Sequence, residues 1–444
     1  MGKNKHSIWY QMNKKLISAF IVVTFLVSAF SGCLEEETEP NEQPIVSISY
    51  PRDRATISGL VMISGTASDP DGDSDLASVE VRINENGWHS ATGKTKWSYD
   101  WNTYEYGDEI YTVSVRSSDG KEYSDIETIA LKVENPKIID SESHRWAIFI
   151  AAANFPTDNE SKLGNGGLYL AEEMAAYLIE KGGYATSNVI LLFDDGWIRA
   201  DNGYGEKIIT LQQRTHEYDI TYGGATKDNV LDSLNRIITE SNKYRDSEIF
   251  IWIFNHGYGD QNDTITGGKL FENSQIFIWD DIISDRVLGE WLSPLKSRKT
   301  CIIVDACYCG GFAEKTIYNL PTSLLFRSGI PEPGRIVIAA SSKFRKGYAS
   351  TTQGPLFTLL WFEGLKTGKA DGFKPGILRL GKQRTLGIFK NGKVSVEEAF
   401  YYARLKLSTD ETLKEFRTME PQINDKYPHR GYIFSRREMF LGES

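Results

Sequence analysis

The sequence predicts a mixed α/β protein in which a small all-β sandwich precedes a larger domain built on a mainly parallel sheet. Over residues 44–136, short β-branched and aromatic runs are separated by turn residues at intervals typical of a sandwich. Over residues 143–436, nearly continuous apolar runs alternate with helical periodicity, which is typical of βαβ units. A length of 444 residues has room for both domains.

The composition excludes nucleic acid as a partner. The chain has 50 Lys and Arg against 60 Asp and Glu, giving a formal net charge of -10 at pH 7, and no stretch supplies a basic face. The 4 cysteines comprise an isolated Cys33 and a cluster of Cys301, Cys307 and Cys309. This spacing is not a disulfide framework, so the cluster indicates chemistry, a metal site or buried thiols.

The N-terminal segment has the features of a secretory signal. Lysines precede an apolar run at residues 16–30, so residues 1–32 are predicted to be a signal peptide. Phe30-Ser31-Gly32-Cys33 resembles a prokaryotic lipobox, which implies a lipid on Cys33 and attachment to the cell membrane. The alternative is an uncleaved membrane anchor. Both place the remainder on the extracytoplasmic face, beginning with an acidic tether at residues 33–43.

The predicted sandwich shows the alternation of strands with one buried face. Its clearest runs are residues 46–50, 60–65, 79–83 and 111–115. The segment resembles the immunoglobulin-like modules of prokaryotic surface proteins, notably in Gly-Thr-Ala-Ser-Asp at residues 65–69 and in three spaced tryptophans, Trp88, Trp97 and Trp101. We expect these tryptophans to pack in the core. Residues 134–137, with a proline, are predicted to link the two domains.

Four carboxylates alternate in one loop of the sandwich, namely Asp69, Asp71, Asp73 and Asp75. Such spacing can surround Ca²⁺ with oxygen ligands, although the loop lacks the length and distal glutamate of an EF-hand. An ordinary solvated turn is the alternative, because aspartate and glycine are common between strands. The sequence leaves both interpretations open.

In the larger domain, strands and helices are predicted from their periodicity. Expected buried strands cover residues 147–152, 189–193, 249–254, 301–304 and 336–339. One helical face is formed by Leu168, Ala171, Met174, Ala175 and Leu178, and a second by Val230, Leu231, Leu234, Ile237 and Ile238. Thr226 is the expected N-cap of the second helix, and Ser395 with Glu398 forms a capping box for a later one.

Two reactive side chains follow neighbouring predicted strands. His256 comes after the third strand and Cys307 after the fourth, and parallel strands end at one common edge of the sheet. An imidazole placed there can take the thiol proton, and the amides of Gly257 and Cys307 could face an oxyanion. From spacing alone, a buried thiol and a hydrogen-bonded histidine remain the alternatives.

The two motifs together resemble the paired signatures of the legumain and caspase relatives. These are His256-Gly257 and Asp305-Ala306-Cys307 followed by Gly310, and the resemblance extends over about residues 145–434. It implies a caspase-like sheet flanked by helices, and a cysteine endopeptidase that cuts protein or peptide substrates through a thioester acyl-enzyme. It also implies that catalysis needs no metal or organic cofactor.

The resemblance concerns six further residues. Asp305 matches an acidic position that shapes the substrate pocket, with capping of nearby N–H groups as the alternative. Ser341 and Ser342 sit where relatives line that pocket, with a hydroxyl-rich turn as the alternative. Asn154 resembles the asparagine that orients the histidine, and Asn165 is a weaker rival. Cys309 stands where the family commonly has serine, which leaves its role open.

Two other functions remain compatible with these motifs. A transamidase would use the same acyl-enzyme and let an amine replace water, whereas a surface-binding protein could have lost catalysis. A thiolate metal site is excluded, because Cys301 begins its strand roughly 20 Å from Cys307 at a rise of about 3.3 Å per residue.

Overall fold

The computed structural model describes residues 40–155, 161–258, 273–315, 327–373, 390–428 and 438–443. Within these ranges the chain divides into two compact units. No helix in these ranges is long and apolar enough to cross a membrane. The predicted signal peptide, Cys33 and most of the tether lie outside the described residues.

The sandwich consists of two sheets. Its strands are β1 (Ile45–Tyr50), β2 (Thr56–Ile57), β3 (Leu60–Ser68), β4 (Ser78–Ile83), β5 (His89–Ser90), β6 (Thr92–Gly93), β7 (Lys96–Asn102), β8 (Ile110–Ser118) and β9 (Glu127–Val133). One sheet has the order β1-β3-β7-β6 and the other β2-β9-β8-β4-β5. Alternate residues of β3 and β4 are buried, as the sequence pattern predicts.

The three tryptophans of the sandwich have different environments. Trp97 and Trp101 are each 2% exposed, which confirms the prediction that they pack in the core. The same prediction is wrong for Trp88, which is only half-buried. The guanidinium groups of Arg82 and Arg116 lie 4.7 and 4.3 Å from its ring centroid. Trp88 follows the turn after β4, outside the alternation that directs side chains inward.

The larger domain contains one long sheet and several short ones. The strands are β10 (Arg145–Ala151), β11 (Val189–Phe193), β12 (Trp197–Arg199), β13 (Lys207–Thr210), β14 (Thr221–Gly223), β15 (Glu248–Phe254), β16 (Gly257–Tyr258), β17 (Gln275–Phe277), β18 (Ile282–Ser284), β19 (Lys299–Asp305), β20 (Arg335–Ala339), β21 (Ala349–Ser350), β22 (Gly354–Pro355) and β23 (Gln422–Asp425). The long sheet has the order β14-β11-β10-β15-β19-β20-β23. All neighbours in it are parallel except β20 and β23. The prediction of a mainly parallel sheet is confirmed.

Five α-helices accompany this sheet in the described residues. They are α1 (Gly166–Gly182), α2 (Lys227–Ser241), α3 (Asp285–Leu292), α4 (Leu356–Thr367) and α5 (Val396–Thr409). The predicted caps are confirmed: the Thr226 side chain accepts from the Asn229 amide, and Ser395 and Glu398 form the capping box of α5. The predicted buried face of α1 is confirmed, whereas on α2 Leu231 is only half-buried.

The core of this domain lies along the central strands. Every residue of β15 is buried, and β19 is buried from its second residue onward. Burying one large apolar side chain contributes roughly 1.5–3 kcal/mol, so Phe250, Trp252 and Ile303 hold these strands firmly in register. This rigid pair of strands carries the two reactive residues at its end.

Candidate active site

The register of the two central strands brings His256 and Cys307 to the same edge. Phe254 of β15 pairs with Asp305 of β19, and the two strands are parallel. His256 lies two residues beyond Phe254, and Cys307 lies two residues beyond Asp305. Each reactive residue therefore leaves its strand at the same level of the sheet, as the sequence predicts.

The two loops touch through backbone atoms at Gly257. A Cβ atom added to Gly257 would lie 1.9 Å from the carbonyl oxygen of Cys307, so only glycine fits there. The Gly257 amide also opposes the effect of burial, which raises the pKa of the Cys307 thiol. The residue after the histidine is thus packed directly against the cysteine.

The Cys307 sulfur is half-buried and has a backbone partner. The Gly347 amide donates to Sγ over 3.3 Å, and Sγ lies 3.6 Å from the Gly347 carbonyl oxygen. Burial raises the pKa of the Cys307 thiol, against opposing effects from the Gly347 amide, the Lys346 charge and the Gly257 amide. The thiol therefore keeps its proton at neutral pH.

The His256 imidazole is held by a backbone carbonyl. Its Nε2 lies 2.7 Å from the oxygen of Ser161. Burial lowers the pKa of His256, partly opposed by the Ser161 carbonyl. When the proton sits on Nε2 and is donated to Ser161, Nδ1 carries the lone pair and can act as a base.

The loop of His256 is also held by its neighbours. The Asn255 side chain accepts from the His256 amide over 2.6 Å and donates to the Phe277 carbonyl over 3.2 Å. The Phe277 amide in turn donates to the His256 carbonyl over 3.0 Å. The imidazole therefore projects from a backbone that is fixed on both sides.

The two asparagines proposed to orient the histidine have other partners. The amide and the side-chain nitrogen of Asn154 both donate to the Asp194 carboxylate. The Asn165 side chain donates to the Arg199 carbonyl over 3.3 Å. Burial raises the pKa of Asp194 to about 7, and the bonds from Asn154 oppose that rise. In the described part of the chain, the hydrogen-bond partner of the His256 imidazole is instead the Ser161 carbonyl.

Asp305 occupies the capping position that the sequence left as an alternative. It is 1% exposed, and its Oδ2 accepts from the amide and the hydroxyl of Thr358 over 3.0 and 2.7 Å. Thr358 lies in the first turn of α4, so the carboxylate satisfies helix N–H groups. Burial raises the pKa of Asp305 to about 7, against opposing bonds from Thr358.

The two serines after β20 are likewise buried. Ser341 and Ser342 are both 0% exposed. The Ser341 hydroxyl donates to the Ala306 carbonyl over 2.8 Å, and the Ser342 hydroxyl accepts from the Phe344 amide over 3.4 Å. Their positions match the hydroxyl-rich turn, and Ser341 supports the loop that carries Cys307.

Cys309 differs from Cys307 in its exposure. It is 0% exposed, and its sulfur lies 3.3 Å from the Val304 carbonyl and 3.4 Å from the Ser341 hydroxyl. Burial raises its pKa to about 11. Cys301 is also fully buried, which leaves Cys307 as the most accessible thiol among the described cysteines.

The aspartates of the sandwich loop form a hydrogen-bonded turn. Asp69 Oδ1 accepts from the Asp71 amide over 2.9 Å, and Asp73 Oδ1 lies 3.3 Å from the Asp69 amide. Asp71 Oδ2 accepts from the Glu42 amide over 2.8 Å, whereas Asp75 is exposed. In the ranges that the structure describes, no group of three or more His, Cys, Asp or Glu side chains is arranged to hold a metal. Calcium binding stays a prediction.

Three contacts of this site were not predicted from the sequence. They are the Ser161 carbonyl on His256, the Gly347 amide on Cys307 and the Asn255 side chain beneath His256. Ser161 and Gly347 act through their backbone carbonyl and amide groups. The identities of these two residues therefore do not reveal the contacts in the sequence. Asn255 stands directly before the histidine and could have been proposed as a brace.

Comparisons with known proteins inform the sandwich more than the larger domain. The model of the bacterial Ig domain family matches residues 44–115. No curated protein matches the chain.

Among solved structures, the endo-beta-1,4-mannanase from Thermotoga petrophila is 16% identical over 22% of this chain and 21% of that chain, with a TM-score of 0.19. Fibronectin(III)-like modules of Clostridium thermocellum CbhA are 21% identical over 21% of this chain and 47% of that chain, with a TM-score of 0.18. The chain thus spans less than half of either structure. Caspase-1 from Spodoptera frugiperda is 10% identical over 65% of this chain and 88% of that chain, with a TM-score of 0.34. Scores this low do not establish a common fold.

The family match covers most of the predicted sandwich, whose strands continue to Val133. The chain therefore combines a sandwich similar to bacterial Ig domains with a mixed α/β domain that carries His256 and Cys307 at adjacent strand ends.

Proposed function

We propose that the chain is a cysteine endopeptidase in which Cys307 is the nucleophile and His256 the base. The observation that supports this most strongly is the contact at Gly257, which packs the residue after the histidine against the cysteine backbone. A half-buried thiol with an amide donor at its sulfur and an imidazole tied through one nitrogen suits general-base activation.

The reaction follows from the protonation states of the two groups. Cys307 Sγ attacks the peptide carbonyl carbon while Nδ1 of His256 takes the thiol proton. The resulting oxyanion accepts hydrogen bonds from the amides of Gly257 and Cys307. The imidazolium returns the proton to the leaving amine, a thioester remains, and water then releases the carboxylic acid and frees the thiol. No step requires a metal or an organic cofactor.

The pair Cys307→Ala and Cys309→Ser tests the assignment on the purified protein. Cys307→Ala removes the acyl-enzyme route, so peptide cleavage should fall on the order of 10³-fold or more, with no covalent labelling by a peptide-based thiol probe. Cys309→Ser should keep most of the activity, since its thiol is fully buried and out of reach of a substrate. Continued turnover by Cys307→Ala, or a folded but inactive Cys309→Ser, would contradict the assignment.

Product analysis distinguishes a peptidase from a transamidase. With a primary amine added in excess, a peptidase releases mainly the free acid, whereas a transamidase releases mainly the amide. Both use the thioester, so the Cys307 result applies to either.

We also propose that the enzyme acts at the extracytoplasmic face of the cell membrane, held by lipid on Cys33. Its proposed parts are a signal peptide at 1–32, a tether at 33–43, a sandwich at 44–136 and a peptidase domain at 143–436. Its partners are then the membrane and a protein or peptide substrate. Mass spectrometry of the membrane fraction should find a mature chain that begins at a lipid-modified Cys33. An unmodified peptide spanning residues 31–35 as the dominant species would contradict this.

Calcium in the loop of Asp69, Asp71, Asp73 and Asp75 is proposed on the sequence spacing and on one buried atom. Asp69 Oδ2 has no hydrogen-bond partner among the described residues, and a cation would satisfy it. Calcium should raise the melting temperature of the segment 43–136 relative to chelator, because a ligand that binds the folded state stabilises it. Equal midpoints would leave the ordinary turn.

A further inference from the structure

The residue after the nucleophile has an uncommon backbone conformation. Tyr308 has a φ of 56°, in the left-handed region that is unfavourable for a residue with a side chain. Such a conformation persists only where neighbouring groups hold it. The Tyr308 amide donates to the Arg345 carbonyl over 2.8 Å, and the Tyr308 carbonyl accepts from the Ser274 hydroxyl over 2.6 Å.

Ser274 bridges two points of this turn. Its side chain is buried, with the residue 2% exposed. The same hydroxyl that donates to Tyr308 accepts from the Gly311 amide over 3.0 Å. Two hydrogen bonds to Asp285 hold Ser274 in place. The Ser274 amide donates to Asp285 Oδ2 over 2.9 Å, and the Asp285 amide donates to the Ser274 carbonyl over 2.9 Å.

Two glycines allow this network to reach the turn. A Cβ atom on Gly311 would lie 2.3 Å from Asp285 Oδ2 and 2.6 Å from the Ser274 hydroxyl. A Cβ atom on Gly310 would lie 2.5 Å from the Lys343 amide. Lys343 is 2% exposed, and its charge opposes the effect of burial on the carboxyl pKa of Asp285. The glycines after the nucleophile are therefore required by packing.

We propose that Ser274 is a positioning residue, whose hydroxyl joins Tyr308 and Gly311 so that the turn presents Cys307 to His256. This inference rests on the peptidase function proposed above. Without the hydroxyl, the buried Tyr308 carbonyl and Gly311 amide lose a partner, and the left-handed turn loses a restraint on each side of it. Cys307 directly precedes that turn, so its sulfur moves when the turn relaxes.

Ser274→Ala tests the proposal, and Ser297→Ala is a matched control. Ser297 is also buried, with its hydroxyl donating to the Ser247 carbonyl over 2.6 Å and accepting from the Lys299 amide over 3.3 Å. It precedes the start of β19, at the opposite edge of the sheet. Both variants therefore lose the same kind of buried bridge, and both should lose similar stability.

Only Ser274→Ala should affect the chemistry. Its kcat should fall at least about 30-fold with KM changed less than about threefold, because misplacing a reacting group slows catalysis more than binding. The rate at which iodoacetamide alkylates Cys307, followed by mass spectrometry of that peptide, should fall at least about fivefold. Ser274→Thr, which keeps the hydroxyl, should restore most of both rates.

The proposal is overturned if Ser274→Ala loses no more in kcat and alkylation rate than Ser297→Ala. A wild-type protein that hydrolyses no peptide would remove the peptidase function, and the alkylation rates alone would then decide the role of Ser274. If Ser274→Ala does not fold, Ser274→Cys and Ser297→Cys replace the pair, because a thiol keeps the size and weakens the hydrogen bond.

Discussion

The two edges of the central sheet use polar residues in opposite ways. At the N-terminal ends of β15 and β19, Glu248 is 2% exposed, and its carboxylate accepts from the Tyr184 hydroxyl over 2.7 Å and the Gly442 amide over 2.8 Å. Lys299 Nζ lies 2.7 Å from the other oxygen. At the C-terminal ends of the same strands, His256 and Cys307 are half-buried, and their partners are backbone groups of Ser161 and Gly347.

This difference indicates that the N-terminal ends of the strands stabilise the sheet, whereas the C-terminal ends hold the groups of the proposed reaction. A buried carboxylate needs a cation and hydrogen-bond donors, and Glu248 has two donors at one oxygen and the Lys299 ammonium beside the other. In the mechanism proposed above, the nucleophile and its base instead start uncharged and stay within reach of a substrate. Backbone partners can hold them in place without fixing their charge. The N-terminal edge should therefore control folding, and the C-terminal edge should control turnover.

The largest expected effect lies at the C-terminal edge. In Gly257→Ala the new methyl group would overlap the Cys307 carbonyl, so the two loops must move apart. A shift of about 1 Å at a reacting group can cost on the order of 100-fold in rate, and we expect kcat/KM to fall by at least that factor. Peptide cleavage by purified protein measures it.

Gly87→Ala is the matched control. A Cβ atom at Gly87 meets nothing within 4 Å, so this variant should retain wild-type activity. Equal activity of the two variants would show that the contact at Gly257 has no role in bringing the dyad together.

The central strands of the long sheet were predictable, whereas the shortest strands and some of the helices were not. Residues 189–193 were assigned to a strand with the correct limits, because an unbroken apolar run of five residues fits a buried parallel strand. The strands β14 and β23 were missed, since three and four residues with polar members give no periodic signal. The helix α4 was also not predicted, because its apolar residues do not define one face.

The reactive pair was predictable, but its surroundings were not. His256 and Cys307 were found from two short motifs at strand ends, each visible in a few consecutive residues. Their partners lie 95 and 40 residues away in the chain and contribute only backbone atoms. The role of Asp305 depended on Thr358, which lies 53 residues away. Sequence order alone does not reveal such contacts.

The second prediction concerns the N-terminal edge. Glu248→Gln leaves the Lys299 charge without its buried partner, which should lower the free energy of unfolding by about 3 kcal/mol. Activity of the protein that remains folded should not change. Denaturant titration and peptide cleavage on the same preparation measure both quantities.

Glu240→Gln provides the comparison for that variant, because Glu240 pairs with Lys243 on the exposed surface of α2. It should change stability by less than about 1 kcal/mol. A Glu248→Gln protein that is as stable as Glu240→Gln, or one that is stable but inactive, would remove the proposed division between the two edges.

The third prediction follows from the pKa directions of the dyad. Burial raises the pKa of Cys307 and lowers the pKa of His256, so both groups are neutral at pH 7. Alkylation of Cys307 should therefore increase with pH through a midpoint above the ordinary thiol value of about 8.5. Cleavage should persist below pH 6.5, about the ordinary value for histidine, because the imidazole stays unprotonated there. A midpoint of alkylation between about pH 4 and 6 would instead indicate a thiolate and imidazolium pair.

The last prediction concerns Asp305, a polar group at the C-terminal edge that serves the fold. Burial raises its pKa to about 7, whereas an aspartate in the unfolded chain has a pKa of about 4. Between about pH 4 and 7, the folded protein therefore keeps a proton on Asp305 that the unfolded chain has released. Its stabilising contribution is complete below pH 4 and is lost as the pH rises through 7. Over that window one such group makes the free energy of unfolding fall by about 1.4 kcal/mol per pH unit.

Asp305→Asn should remove part of that slope, because an amide cannot release the proton, while its oxygen can still accept from Thr358. We expect the decline between pH 4 and 7 to become less steep by about 1 kcal/mol per pH unit, measured by denaturant titration at several pH values. Asp246→Asn is the control, since that carboxylate is exposed and its bond from His144 lowers its pKa. The order of preference among peptide substrates should also be unchanged in Asp305→Asn, because the carboxylate caps α4. An altered preference with an unchanged slope would instead assign Asp305 to the substrate pocket.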